Sequence, residues 1–493
     1  MNTPVCDFVK KYSEKRPVRL HMPGHKGVSV LGPECLDITE IDGADVLYGG
    51  DGIIAESEAN AAALFGTART LYSTEGSSLC IRAMLYLVKM LAISKKAQSR
   101  SAVAADIAAY KKPVILAGRN AHKTFITAAA LLDIDVKWLY SDECCGQDVM
   151  GDGIDACSSP KLRGESKIES YGLAACRISA ESLEEEIISC GIPDAVYITS
   201  PDYLGNIADI SGLSAVCRKY GCLLLVDNAH GAYLKFIQGE DERGQHCPRH
   251  PMDLGADICC DSAHKTLPVL TGGAYLHIAW SAPEMLKKNA EHALKMFAST
   301  SPSYLIMQSL DMANKLLAEG MAERIREQAE CTEELKKRLK EAGFTLAGDE
   351  PLKITICAKA YGYYGTELAA LLEKENIYCE FSDPDYLVLM VSAFTSEADL
   401  KRVEDALLTV KKRDVITELP PKVGPGKRSI SIKEAMLSQS ELIDVDEAEG
   451  RVLAAADVAC PPAIPIAVSG EIIDAEAVRA FKYYGINKVA VII

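Results

Sequence analysis

The stretch Asp261-Ser262-Ala263-His264-Lys265-Thr266-Leu267-Pro268 decides how this chain is read. A lysine stands there among small polar residues, just after the short apolar run Ile258-Cys259-Cys260. Upstream, Cys222-Leu223-Leu224-Leu225-Val226 reads as a buried strand that ends on Asp227 and runs into Asn228-Ala229-His230-Gly231. An acid at a strand end and a lysine placed this way downstream point to a pyridoxal phosphate (PLP) site. The chemistry is demanding: the cofactor aldehyde needs an amine to hold it, and the pyridine nitrogen needs a carboxylate to keep it protonated, so that the ring accepts electrons.

Working outward, apolar runs at residues 114–117, 136–140, 195–199, 222–227, 257–260 and 274–278 read as strands, with helical patterns between several of them. That order predicts an α/β fold with a largely parallel sheet and helices on both faces. Ligands of such sheets sit in a crevice at the carboxyl ends of the strands, where Asp227 falls. Beyond Ser303 a long helical pattern runs to a stop at Gly343, with a break expected near Gly320. A smaller α/β unit follows, with strands at 352–356 and 386–390 and a last helix capped by Ser396 and Asp399. Pro420-Pro421-Lys422-Val423-Gly424-Pro425-Gly426 then reads as a linker. The expected units are an arm (1–35), a cofactor-binding major domain (36–300), a linking helix with a small domain (301–415) and a C-terminal domain (416–493).

The composition narrows the function classes. With 493 residues and a net charge of −16, the chain lacks the basic excess that nucleic acid or an anionic membrane rewards. No apolar run approaches the roughly 18 residues of a membrane span and no signal-like start is seen, so a cytoplasmic protein is expected. The 17 cysteines show no Cys-x-x-Cys spacing, which predicts free buried thiols. No metal is expected: the His-x-x-x-His pairs at 21/25 and 246/250 are each interrupted by proline, even with Cys247 beside the second.

Further blocks lie along the chain: His21-Met22-Pro23-Gly24-His25-Lys26-Gly27, Glu75-Gly76-Ser77-Ser78, Arg119-Asn120-Ala121-His122-Lys123, Thr199-Ser200-Pro201, Ser299-Thr300-Ser301 and Pro461-Pro462-Ala463-Ile464-Pro465 with Gly470-Glu471. With the Asp227 and Lys265 blocks, their order resembles the Orn/Lys/Arg decarboxylase family, PLP enzymes of fold type I with an aspartate aminotransferase-like large domain. The resemblance implies a Schiff-base role for Lys265, a pyridinium partner in Asp227 and a ring-stacking role for His122. It further implies phosphate ligands in Ser77, Ser78, Ser262 and His264, and a 3′-hydroxyl neighbour in His230. Thr300 and its neighbours would serve the adjoining subunit's cofactor, which implies a homodimer or larger assembly with shared sites. Short-form members of this kind imply conversion of arginine to agmatine in polyamine biosynthesis, with lysine and ornithine as rival substrates. Glu471, Asp383 or Asp385 would then hold the substrate's distal cation. An aminotransferase or another α-carbon enzyme on the same fold is an alternative, as is a non-catalytic binder of amino acids or polyamines. The chain departs from the family pattern at Asn228, Tyr233, Gly272-Gly273 and Cys460-Pro461-Pro462-Ala463, positions that bear on substrate choice.

Overall fold

The computed structural model describes residues 1–99, 112–140, 177–240, 246–421, 423–455 and 465–493; the Cys460 to Ile464 part of the C-terminal block lies outside them. Seven strands form one sheet: β1 (Arg69–Ser73), β2 (Val114–Gly118), β3 (Asp135–Leu139), β4 (Ala195–Thr199), β5 (Leu223–Asp227), β6 (Ile258–Asp261) and β7 (Ala274–Ile278). Their spatial order is β1-β7-β6-β5-β4-β2-β3. The run from β6 to β3 is parallel throughout, whereas β7 is antiparallel to both its neighbours. The mostly parallel α/β sheet expected from the apolar runs is therefore present. Strand β1 escapes a reading based on those runs, because Arg-Thr-Leu-Tyr-Ser mixes polar and apolar residues while being almost wholly buried.

Alternation along the strands feeds two cores. Leu116, Val196, Ile198, Leu224 and Val226 face the helices Ala180–Cys190 and Ile210–Tyr220. Ile115, Ala117, Tyr197 and Leu225 face the helices Gly76–Ser99 and Lys123–Leu132. Burial on both faces is why these strands read as unbroken apolar runs. Within the first helix of that second face, Gly76–Ser94 is long and apolar enough to cross a membrane by length and composition, a longer stretch than the sequence analysis expects. Arg82 and Lys89 interrupt it, and Leu79, Met84, Leu85 and Leu87 are fully buried in the domain.

The linking helix breaks where glycine predicts. Helix Tyr304–Leu316 passes through a wide turn, in which Gly320 has φ +112°, into helix Ala322–Glu341. A four-stranded antiparallel sheet follows, with Lys353–Cys357 and Tyr386–Met390 at its centre. Its closing helix, Glu397–Thr409, starts with the expected capping box, Ser396 Oγ accepting from the Asp399 amide at 3.1 Å. At the end of the chain Lys488–Ile492 pairs antiparallel with Ser440–Asp444. These strands cover a separate core of Val445, Leu453, Ile473, Phe481, Val489 and Val491.

Candidate active site

Two adjacent parallel strands deliver the acid and the lysine. Strand β5 ends on Asp227, whose Oδ2 accepts from Tyr197 Oη at 3.0 Å and whose Oδ1 accepts from the Ala229 amide at 3.2 Å. Tyr197 comes from β4, next in the sheet, and is fully buried. Strand β6 ends at Asp261, and the helical turn Ala263–Thr266 then carries His264 and Lys265. Between these ends lies a cavity of about 260 Å³. Ser77, Ser78, His122, Asp227, His230, Ser262, His264 and Lys265 all line it, so eight side chains singled out from sequence converge on one space.

One wall is suited to an anion. Helix Gly76–Ser99 begins there with Gly76 at φ +72°, a left-handed conformation that a side chain would strain. Its first N–H groups have no partner within the helix, and Ser77 and Ser78 add hydroxyls beside them. Ser262 Oγ donates to Ser77 Oγ at 2.8 Å, and Ser78 Oγ lies 3.2 Å from Thr124 Oγ1. The Gly272-Gly273 departure has a local reason: a Cβ on Gly273 would come within 2.2 Å of Val269, and its carbonyl accepts from His264 Nδ1 at 3.0 Å.

The same cavity holds nitrogen bases whose pKa values burial lowers. His122 caps helix Lys123–Leu132, its Nδ1 accepting from the Thr124 amide at 3.2 Å, which leaves the ring proton on Nε2. Burial lowers its pKa, the charge of Asp227 opposes this, and Lys265 and Lys123 add to it. For Lys265, burial again pushes the pKa down, against the pull of Asp227 and with the help of Lys353. The Lys265 Nζ lies 3.0 Å from His230 Nε2. Burial, then Lys353 and Lys265, drive His230 well below its ordinary value. An amine whose pKa burial lowers, near a hydrogen-bonded carboxylate, is suited to bonding an aldehyde carbon.

Whether a planar phosphate-bearing cofactor suits the pocket can be tested on its polar atoms. Among the described residues, Asn120 Nδ2 and Thr199 Oγ1 are buried without a hydrogen-bond partner, and both residues line this cavity. Buried orphans of this kind are rare in a finished site. With the serine wall, the acid and the lysine, these groups fit the needs of PLP.

Other expected residues lie elsewhere. Thr300 sits on an exposed stretch held by the Ser299 amide donating to Glu75 Oε1 at 2.7 Å. Glu471 does not line the cavity; it is buried against Arg119 at 3.2 Å and accepts from the Val468 amide at 2.7 Å. Asp385 is taken up by Lys359 at 3.0 Å and by Tyr483 Oη at 2.7 Å. Asp383 accepts from the amides of Asp385 and Tyr386, and burial raises its pKa to about 7. Missed from sequence were Asp202, Tyr203 and Lys353. The first two follow the Thr199-Ser200-Pro201 block and line the cavity, but a lysine at the edge of an apolar strand in the small domain carries no such signal.

Behind the site, His250 and His277 approach the same oxygen of Asp261, at 3.0 and 3.1 Å. His250, Cys259 and Asp261 bring potential metal ligands within 4.8 Å of one another. His250 Nδ1, however, accepts from the Met252 amide at 3.3 Å, so the nitrogen facing Asp261 carries the proton and has no lone pair for a cation. Asn228, the departure after Asp227, donates to the other Asp261 oxygen at 2.7 Å. Tyr233 donates to Glu350 at 3.2 Å.

The sheet order and the lysine-acid pocket define a fold type I PLP-dependent enzyme. The fold matches that of a Francisella novicida lysine decarboxylase with a TM-score of 0.71 over all of this chain and 81% of that one, at 17% identity. Models of the Orn/Lys/Arg decarboxylase major domain and C-terminal domain match residues 3–357 and 426–489. The chain therefore belongs to the Orn/Lys/Arg decarboxylase family and is an amino-acid decarboxylase. It is 26% identical to an arginine decarboxylase of Bacillus subtilis, covering 96% of this chain and 92% of that protein. A Bacillus anthracis arginine decarboxylase is 27% identical, with 96% and 90% covered.

Proposed function

We propose that the protein decarboxylates arginine to agmatine, using PLP held in the cavity between β5 and β6. The observation that carries this reading is the convergence of Lys265, Asp227 and His122 on one pocket with a serine-lined anion wall. Arginine is favoured over lysine and ornithine by full-length likeness to proteins named arginine decarboxylase. Agmatine formation would place the reaction at the head of a route to polyamines.

Bound there, PLP supplies an electron sink that lets the bond between the α-carbon and the carboxylate break. Ser77, Ser78 and Ser262, with the helix N–H groups, hold its phosphate, and His264 closes that wall. Lys265 would hold the cofactor through its amine, whose pKa burial lowers. The Asp227 carboxylate, oriented by Tyr197, keeps a proton on the pyridine nitrogen. His122, whose pKa burial lowers, would hold the cofactor ring without adding a strong positive charge beside it. The buried walls exclude water, which favours loss of a charged carboxylate as neutral carbon dioxide. Lys265 or a neighbouring group would return a proton to the α-carbon.

The four units 1–35, 36–300, 301–415 and 416–493 are read as arm, cofactor domain, small domain and C-terminal domain. Leu20 and Leu31 of the arm are 91% and 90% exposed, as are Val18, Val28 and Val30 to a lesser degree, exposed apolar residues suited to a second copy. A homodimer or larger assembly follows, with the Thr300 segment reaching the neighbouring site.

The test is carbon dioxide and amine release by the purified, PLP-loaded protein given arginine, lysine and ornithine separately. Agmatine is expected to form fastest. Faster cadaverine or putrescine release would overturn the substrate, and a keto acid without carbon dioxide would overturn decarboxylation.

A further inference from the structure

A second lysine, from the small domain, backs onto a residue of the site. Lys353 starts the central strand Lys353–Cys357, yet its side chain is 1% exposed. Its Nζ lies 2.7 Å from Glu350 Oε2, donates to the Asp202 carbonyl at 3.2 Å, and stands 3.4 Å from His230 Nδ1. Glu350 also accepts from Tyr233 Oη at 3.2 Å. A buried ion pair alone adds little net stability; what distinguishes this one is its third contact, with an imidazole that touches Lys265.

The direction of the chain follows from donor chemistry. An ammonium has donors and no acceptor, so Lys353 takes up the lone pair of His230 Nδ1. The ring then carries its proton on Nε2, 3.0 Å from Lys265 Nζ. That N–H needs an acceptor, and the lone pair of a neutral amine is the acceptor at hand. We propose that Lys353 is a positioning residue for Lys265, fixing the His230 tautomer so that Lys265 is held as a free amine. The inference rests on the reading of Lys265 as the cofactor's anchor. It also gives the small domain a direct hold on the chemistry, since Lys353 reaches the site only when the two domains are docked.

Asp227 and Cys260 face Lys265 from the sheet and Glu380 from the small domain. His122 and His264 face His230 from the cavity walls. Lys353 is thus the cation that faces both Lys265 and His230 from outside the cofactor domain.

The experiment uses the full chain stripped of PLP and then reloaded across a pH series. Borohydride trapping and peptide mapping identify the lysine that captures PLP, and the capture rate against pH gives a midpoint. Trapping at a lysine other than Lys265 in the unmodified protein would sink the anchor reading itself. With Lys265 trapped, Lys353→Met is expected to move the midpoint up by about one pH unit, equivalent to a tenfold change in the free-amine fraction. Lys353→Arg, which keeps the cation and its donors, is expected to stay near the unmodified value. Lys353→Met combined with Glu350→Gln avoids stranding a buried carboxylate, and it is expected to shift like Lys353→Met. An unchanged midpoint in either Met variant, with capture still at Lys265, would overturn the role of Lys353.

Discussion

At the residue scale the site depends on a few atoms with assigned protons. Lys265→Ala removes the amine that holds the aldehyde, so the visible absorbance of the bound cofactor is expected to disappear and turnover to fall on the order of 10⁴-fold or more. Near-normal steady-state turnover in that variant would refute the assignment. Tyr197→Phe leaves packing in place but takes one hydrogen bond from the Asp227 carboxylate. Bonds to charged groups contribute about 1.5–3 kcal/mol, so kcat/KM is expected to drop roughly 10- to 100-fold. Lys265 and Asp227 were legible because their chemistry needs a strand end, and strand ends show as the edges of apolar runs. Tyr197 was not: it reads as one more residue of a buried strand, and its hydroxyl gains meaning from the neighbouring strand. Lys353 was hidden for the same reason, being 88 positions from Lys265 and in another domain.

At the element scale, buried acids report how helices are fastened. Glu58, on helix Ile53–Phe65, accepts from the Tyr72 amide of β1 at 2.9 Å, and burial raises its pKa from 4.5 to about 8. The folded protein therefore holds a proton that the unfolded chain loses between those values, and this contribution to stability falls as the pH rises from about 4.5 through 8. Glu58→Gln is neutral at every pH and keeps the acceptor. Its melting temperature relative to the unmodified protein is expected to climb between pH 5 and pH 8.5; a constant difference across that range would contradict the reading. Glu471 fastens the C-terminal domain by pairing with Arg119, both side chains being 5% exposed. Removing one partner of a buried pair costs about 3–5 kcal/mol, so Glu471→Ala is expected to lower the melting temperature markedly and to loosen the C-terminal domain in hydrogen exchange. A variant that melts like the unmodified protein but loses affinity for arginine would restore the substrate role first expected of this residue.

On the scale of the whole molecule, the exposed apolar arm predicts self-association. Light scattering is expected to give at least twice the chain mass of 53.2 kDa, and Leu20→Asp with Leu31→Asp to reduce it toward one chain. If the doubly substituted protein keeps the larger mass, another face holds the assembly together.

What the sequence determined by itself is whatever repeats locally: the two-sided apolar strands, the capped helices, the break at Gly320 and the acid and lysine at the ends of apolar runs. Periodicity and turn chemistry act over a few residues, so they survive in a one-dimensional reading. Tertiary structure alone decided which of the polar side chains share a space. It took Glu471, Asp383 and Asp385 into buried partnerships outside the cavity, and it brought Tyr197 to Asp227 and Lys353 to His230. Those pairings depend on strand order and on the docking of one domain against another, and no local pattern along the chain encodes either.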